Sequence, residues 1–238
     1  MVESEIIERV NGSTLLLRPD YRGLVTIDWF NPDYWKERAT PVGSGGRGGA
    51  WFIKESGVHL VLREYRRGGL MAKLSQRLYT YICERDVRSF SEFRLLNRLK
   101  EMGLPVPGAV AAWYQKVSPL QYQAAIIIER LMDAAPLADL IPDLHDADWY
   151  QLGRTIRRFH NAGVRHADLN CFNVLVSGES FYLIDFDKGK IVRPGASSGW
   201  KKANLQRFAR SLKKVAGDAA HQQVWNSFMN GYNGSHSA

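Results

Sequence analysis

Three oxygen-bearing side chains stand within one short stretch of the C-terminal half: Asp168, Asn173 and Asp185. The first two belong to His166-Ala167-Asp168-Leu169-Asn170-Cys171-Phe172-Asn173, five residues apart. The third follows in Leu183-Ile184-Asp185-Phe186-Asp187. The first segment reads as a loop after a helix and the second as the end of a hairpin strand, so the three can converge. A carboxylate that accepts a hydroxyl proton, with an amide and a second carboxylate on Mg²⁺, is what phosphoryl transfer requires. Mg²⁺ takes few hard oxygen ligands from a protein and shares the rest with substrate phosphates. Asp and Asn also favour turns for purely local reasons. Here order, spacing and flanking apolar runs agree on a site.

The elements that must position these residues follow from periodicity. Asp146 to Ala162 is the clearest helix, with Asp146 as a cap, Trp149, Leu152, Ile156 and Phe159 as its apolar stripe, and Gly163 as its end. Asn173–Val176 and Phe181–Ile184 flank Ser177-Gly178 and read as a hairpin. An earlier hairpin runs through Ala50–Ile53 and Val58–Arg63, turning at Lys54–Gly57 and preceded by the glycine run Gly43–Gly49. Residues 70–102 read as helix, broken near Cys83–Val87 and closed by Gly103, with Phe93, Leu96, Leu99 and Met102 on one face. Gln123–Ile128 is a buried-strand candidate, Glu129–Pro136 a connector, and Trp200–Tyr232 a basic helical tail. The first 40 residues read as irregular, with Pro19, Pro32 and Pro41.

The first half is therefore strand-weighted and the second helix-weighted. The expected fold is α+β in two lobes: residues 1–130 an N-terminal extension with a strand-rich lobe, and 131–238 a helical lobe. With 45 % hydrophobic and 24 % charged residues, the 238-residue chain is neither disordered nor fibrous in composition. No apolar run approaches the roughly 20 residues of a membrane span. The N-terminus lacks a basic-then-apolar secretory pattern. The expectation is a protein that is soluble or sits on a membrane surface. The formal charge of +8 suits an anionic partner. Cys83 and Cys171 form neither a zinc pattern nor a disulfide framework, which points to a reducing compartment.

His-x-Asp-x-x-x-x-Asn followed by an apolar strand and Asp-Phe resembles the catalytic loop and metal-binding Asp of the protein-kinase-like superfamily. More narrowly, the chain resembles the 3-deoxy-D-manno-octulosonic acid (Kdo) kinases of Gram-negative bacteria. Val61–Leu70, His166–Asn170 and Leu183–Gly189 carry that likeness. The resemblance implies a small bilobal kinase-like fold with a strand-rich nucleotide-binding lobe and a catalytic helical lobe. It implies ATP and Mg²⁺ as cofactors. Asp168 would be the catalytic base, and Asn173 and Asp185 the metal ligands. Gly45, Gly46 and Gly48 would cover the phosphates, Arg63 would meet them, and Glu92 would pair with Arg63. Glu129 and Leu131 would bound the hinge that holds adenine. The implied acceptor is the 4-hydroxyl of Kdo on a lipid A precursor, at the cytoplasmic face of the inner membrane. No nucleic acid or obligate protein partner is expected.

Departures from the superfamily pattern have consequences. Arg63 stands where a Lys is usual and keeps the charge with a planar fork. Ala167 replaces an Arg that often anchors a phosphorylated activation loop. Asn170 replaces the catalytic-loop Lys, so one positive charge near the transferring group is missing. Asp187 replaces a Gly and adds a carboxylate. No Ala-Pro-Glu segment follows Asp185, which points to a small-molecule or lipid acceptor. Glu92 has a second reading, because Ser89-Phe90-Ser91-Glu92 fits a capping box. The basic runs Arg63–Arg67, Arg154–Arg158 and Lys201–Lys214 are either solvated faces or anion-binding surfaces. The alternatives are a heptose, aminoglycoside-type or small protein kinase, and a catalytically inactive module that binds anionic lipid.

Overall fold

The computed structural model describes residues 5–43, 49–66, 78–193, 195 and 199–234. Gly45, Gly46 and Gly48 of the glycine run lie outside the described residues. The chain divides into two compact units: Met1–Arg98 with Pro107–Arg130, and Leu99–Val106 with Leu131–Ala238.

The first unit is an eight-stranded antiparallel sheet. Its strands are β1 (Ile6–Val10), β2 (Ser13–Leu17), β3 (Ala39–Pro41), β4 (Ala50–Glu55), β5 (Val58–Glu64), β6 (Tyr79–Thr80), β7 (Ala109–Ser118) and β8 (Gln121–Glu129). They pair in the order β1-β2-β7-β8-β5-β4-β3, with β6 also on β8. Two hairpins close through two-residue turns in which both residues have positive φ: Asn11-Gly12 (49° and 77°) and Ser56-Gly57 (44° and 83°). That is the primed turn geometry, whose twist matches that of the strands it joins. The β4–β5 hairpin is the one expected from the sequence.

The first 40 residues depart from expectation. They are not irregular: β1 and β2 form the hairpin that extends the sheet. The chain then turns through short 3₁₀ segments and α1 (Pro32–Trp35) to lay Trp29, Phe30 and Trp35 against Leu60, Leu62 and Ile127. The prolines sit at turn starts and in the edge strand β3, where a missing N–H is tolerated. The 70–102 helix is also corrected. Residues 67–77 lie outside the described residues, Tyr79–Thr80 is a strand, and the helix α2 is Arg88–Glu101. Tyr79 packs on Tyr122 of β8 at 5.8 Å between centroids, an aromatic cross-strand contact that favours β structure. Within α2, Phe93, Leu96 and Leu99 are buried at helical spacing. Gly103 ends it at φ 69°, with Leu104 N–H reaching Leu99 O and Gly103 N–H reaching Lys100 O. This pair of bonds satisfies carbonyls that a helix end leaves open.

The second unit contains α3 (Leu137–Leu140), α4 (Asp146–Asn161), α5 (Gly199–Asn233) and five short strands. The strands are β9 (Ala135–Pro136), β10 (Val164–Arg165), β11 (Val174–Ser177), β12 (Ser180–Leu183) and β13 (Lys190–Ile191). The expected stripe Trp149, Leu152, Ile156 and Phe159 is buried, each side chain contributing roughly 1.5–3 kcal/mol. The cap is His145 rather than Asp146: its N–H donates to the Asp148 carboxylate at 2.9 Å. Helices α4 and α5 cross in backbone contact. A Cβ on Gly153 would stand 2.0 Å from Phe228 O, and one on Gly231 1.9 Å from Tyr150 O. Only glycines permit that approach. Helix α5 is kinked at Gly217 (φ 87°, ψ 168°) into two helical segments.

Candidate active site

In the first unit, Arg63 and Glu92 meet. Arg63 alternates to the face of β5 opposite Leu60 and Leu62, and its Nη2 donates to Glu92 Oε2. The Tyr65 hydroxyl donates to the same oxygen. Glu92 is buried, with a side-chain exposure of 2 %. A buried carboxylate requires such partners. The capping-box reading gives way, because the Ser89 hydroxyl donates to Trp113 O at 3.0 Å instead.

Glu129 lies at the end of β8. Its carboxylate accepts from Arg18 Nη1 at 2.6 Å and from Gly108 N–H at 3.1 Å, and its own N–H donates to Gly108 O at 2.9 Å. The Glu129 side chain therefore brackets β8 to its neighbours. Leu131 begins the connector and is half-buried.

In the second unit, the loop 166–173 is folded by its own polar groups. Burial pushes the His166 imidazole below its ordinary pKa, so the ring is neutral. Its Nδ1 accepts from Asp168 N–H at 3.1 Å, which leaves the hydrogen on Nε2 to be donated to Ile184 O at 2.9 Å. Its ring packs on Phe186 at 4.7 Å. Asn170 Oδ1 accepts from Phe172 N–H at 2.8 Å and Asn173 N–H at 3.2 Å. The Asn173 amide nitrogen donates to Asp168 O at 2.9 Å. Asn173 O accepts from Ile184 N–H at 3.1 Å, continuing the β11–β12 ladder to the residue before Asp185. These bonds set Asn173 beside the backbone of Asp168 on one side and of Ile184, the residue before Asp185, on the other.

Asp185 has φ 62°. A non-glycine residue in that region is held there by its surroundings and tends to mark functional sites. Cys171 is fully buried and burial raises its thiol pKa, so it is a packed residue and not a nucleophile.

The donors fit a hard divalent cation. Asn173 commits its nitrogen to Asp168 O and so turns its carbonyl oxygen away from that bond. Asp185 is the carboxylate nearest to Asn173 along the β11–β12 ladder, and His166 spends both ring nitrogens elsewhere. Asn and Asp oxygens are the donor type that Mg²⁺ takes, and among the described residues no group of three or more His, Cys, Asp or Glu side chains is placed to hold a metal.

Three residues that matter to this loop escaped the sequence reading. Asn204 Nδ2 donates to His166 O at 2.8 Å, Arg207 Nη1 to Asp168 Oδ1 at 3.0 Å, and Cys171 N–H to Ser211 Oγ at 3.0 Å. All three lie on one face of α5, inside the run treated as a basic surface. A buried asparagine followed at helical spacing by Arg207 and Ser211 is the signal that marks the face.

The lipopolysaccharide kinase (Kdo/WaaP) family model matches residues 32–232. The chain is 44 % identical over 204 residues to a 3-deoxy-D-manno-octulosonic acid kinase of Stenotrophomonas maltophilia (strain K279a), covering 85 % of this chain and 81 % of that protein. It is 44 % identical over 201 residues to the kinase of the same name from Xylella fastidiosa (strain M12), covering 84 % and 80 %. Among solved structures, WaaP in complex with acyl carrier protein is similar at a TM-score of 0.57 and 18 % identity, covering 92 % of this chain and 88 % of that one. That likeness concerns the fold alone, and it is a kinase-like fold.

Proposed function

The chain belongs to the lipopolysaccharide kinase (Kdo/WaaP) family, and from that premise we propose an ATP-dependent phosphotransferase that acts on Kdo in lipopolysaccharide core biosynthesis. The observation that carries the reading is the hydrogen-bonded loop that ties the Asn173 side chain to Asp168 O and Asn173 O to Ile184 N–H, the residue before Asp185. Such a loop suits a reaction whose catalysis is positioning plus charge neutralisation.

In this reading the 4-hydroxyl of Kdo on a lipid A precursor is the acceptor. Asp168 accepts its hydrogen bond, aligns the oxygen for in-line attack and takes the proton as the bond to the γ-phosphorus forms, while the bond from that phosphorus to the β–γ bridging oxygen breaks and ADP leaves. Asn173 and Asp185 would hold Mg²⁺, which neutralises phosphate charge when bound. Arg63 is the cation for the nucleotide phosphates, and Glu92 with Tyr65 fixes its fork. Gly45, Gly46 and Gly48 would cover phosphates with backbone N–H groups. Glu129 and Leu131 would bound the adenine-holding connector. Because the Glu129 side chain is engaged with Arg18, its part falls to backbone atoms.

The charge of +8 suits an acceptor that bears carboxylate and phosphates. No helix among the described residues is long and apolar enough to cross a membrane. A peripheral position on the anionic cytoplasmic face of the inner membrane fits both facts.

The test is phosphate transfer from γ-labelled ATP to a Kdo-bearing lipid A precursor, with Mg²⁺ and with chelator, for wild type and Asp168→Asn. We expect transfer by wild type with Mg²⁺ only, at the 4-hydroxyl by NMR, and a loss of at least about 100-fold in the variant. No transfer by an ATP-binding protein removes the acceptor, and wild-type turnover by the variant removes Asp168 from its role.

A further inference from the structure

The loop 166–173 contains neither lysine nor arginine, and His166 is neutral. Asp185 and Asp187, which follow in the sequence, carry the same sign as the phosphates they would serve. A cation must therefore come from outside the loop. The first segment of α5 supplies one. Arg207 Nη1 lies 3.0 Å from Asp168 Oδ1, while Asn170 Nδ2 lies 3.1 Å from Oδ2. Each carboxylate oxygen thus has one donor, which sets the plane of the group and leaves the second lone pair of each oxygen for a hydroxyl.

The contact is one of three from the same helix face. Asn204 and Ser211, one turn before and one turn after Arg207, bind His166 O and Cys171 N–H. The helix is therefore docked along the loop, with Arg207 at the centre of the docked face. The pair is half exposed, at 48 % and 57 % of the side chains. An ion pair in water contributes little to stability, so folding does not account for it.

We propose that Arg207 is a positioning residue for phosphoryl transfer: from α5 it aims the Asp168 carboxylate and restores the positive charge that Asn170 does not provide. The proposal rests on the reading of Asp168 given above. It assigns to the C-terminal helix a part in the chemical step that the loop motif alone does not contain.

The test uses the full chain with Arg207→Ala, Arg207→Lys, Asp168→Asn and the double variant Asp168→Asn/Arg207→Ala, in the transfer assay above. The expected loss for Arg207→Ala is about 100-fold in kcat, the scale of a misaimed reactant, with KM for ATP unchanged. Lysine restores part of it, added guanidinium restores activity to the alanine variant and not to Asp168→Asn, and the double variant is no slower than Asp168→Asn alone. Wild-type kcat in folded Arg207→Ala overturns the proposal while leaving Asp168 in place. A loss confined to KM overturns it too and makes Arg207 a substrate contact. Wild-type turnover by Asp168→Asn instead overturns the reading beneath it. Should the alanine form unfold, Arg207→Gln, which keeps length and a donor, takes its place with the same expected kcat loss.

Discussion

Arg63–Glu92 in the first unit and Arg207–Asp168 in the second are both arginine–carboxylate pairs, and the two have different surroundings. Glu92 is 2 % exposed, and its oxygen is shared between Arg63 and the Tyr65 hydroxyl. Asp168 is 57 % exposed and touches Arg207 at the end of a long side chain. The buried pair cannot lose a member without leaving a charge out of water. The exposed pair can. A carboxylate meant to hold another side chain is placed inside, whereas one meant to meet a substrate stays at the surface and is steered by a neighbour.

Stability measurements can break this contrast. Glu92→Ala should have the largest effect, about 3–5 kcal/mol in urea unfolding, because Arg63 and Tyr65 lose their common acceptor. A loss under about 1 kcal/mol would show that the pair is solvated in solution.

Acid should act on the second unit through His160. Burial pushes its pKa down to about 4 from 6.5, and nearby Lys201 acts in the same direction. The folded state keeps the ring neutral while the unfolded state binds a proton below 6.5. The stabilisation is therefore whole above pH 6.5, declines as pH falls toward 4, and amounts to on the order of 3 kcal/mol when fully lost. Unfolding midpoints measured between pH 7 and 4 should fall, and His160→Gln should flatten that slope. An equal slope in the variant would assign the acid sensitivity to other groups.

The smallest effect belongs to Arg207→Ala, at about 0–1 kcal/mol of stability. That value beside a large kcat loss is the sharpest form of the contrast. A stability loss near that of Glu92→Ala would make the two pairs alike.

Local chemistry explains which parts were legible in the sequence. The stripe of α4, the hairpin at Ser56-Gly57 and the loop 166–173 are each written in neighbouring residues. The hairpin at Asn11-Gly12 was equally local, and its dipeptide is the strongest short-range turn signal, but the prolines that follow drew the reading toward irregular chain. The packing of Trp29 and Trp35 on the sheet has no local code, since their partners on β5 and β8 are distant in sequence. The same holds for Arg207, which lies 39 residues from Asp168. A motif search ends where the motif ends, and the docking of α5 lies beyond it. Pairing of Glu92 with Arg63 was legible only as one of two options, because helix spacing shows a face and not what covers it.

Gly217 separates two attachments of α5: Asn204, Arg207 and Ser211 before it, and the crossing of α4 at Gly231 after it. The consequence is a map of where the chain tolerates a change of length. One residue inserted between Asn204 and Ser211 turns everything after it by about 100° and takes part of the face off the loop. An insertion at the bend spares that face, although Phe208 must then repack against Trp225 and Phe228 across it. A change of length is therefore expected to cost least at residue 217, where neither of the two attachments is interrupted.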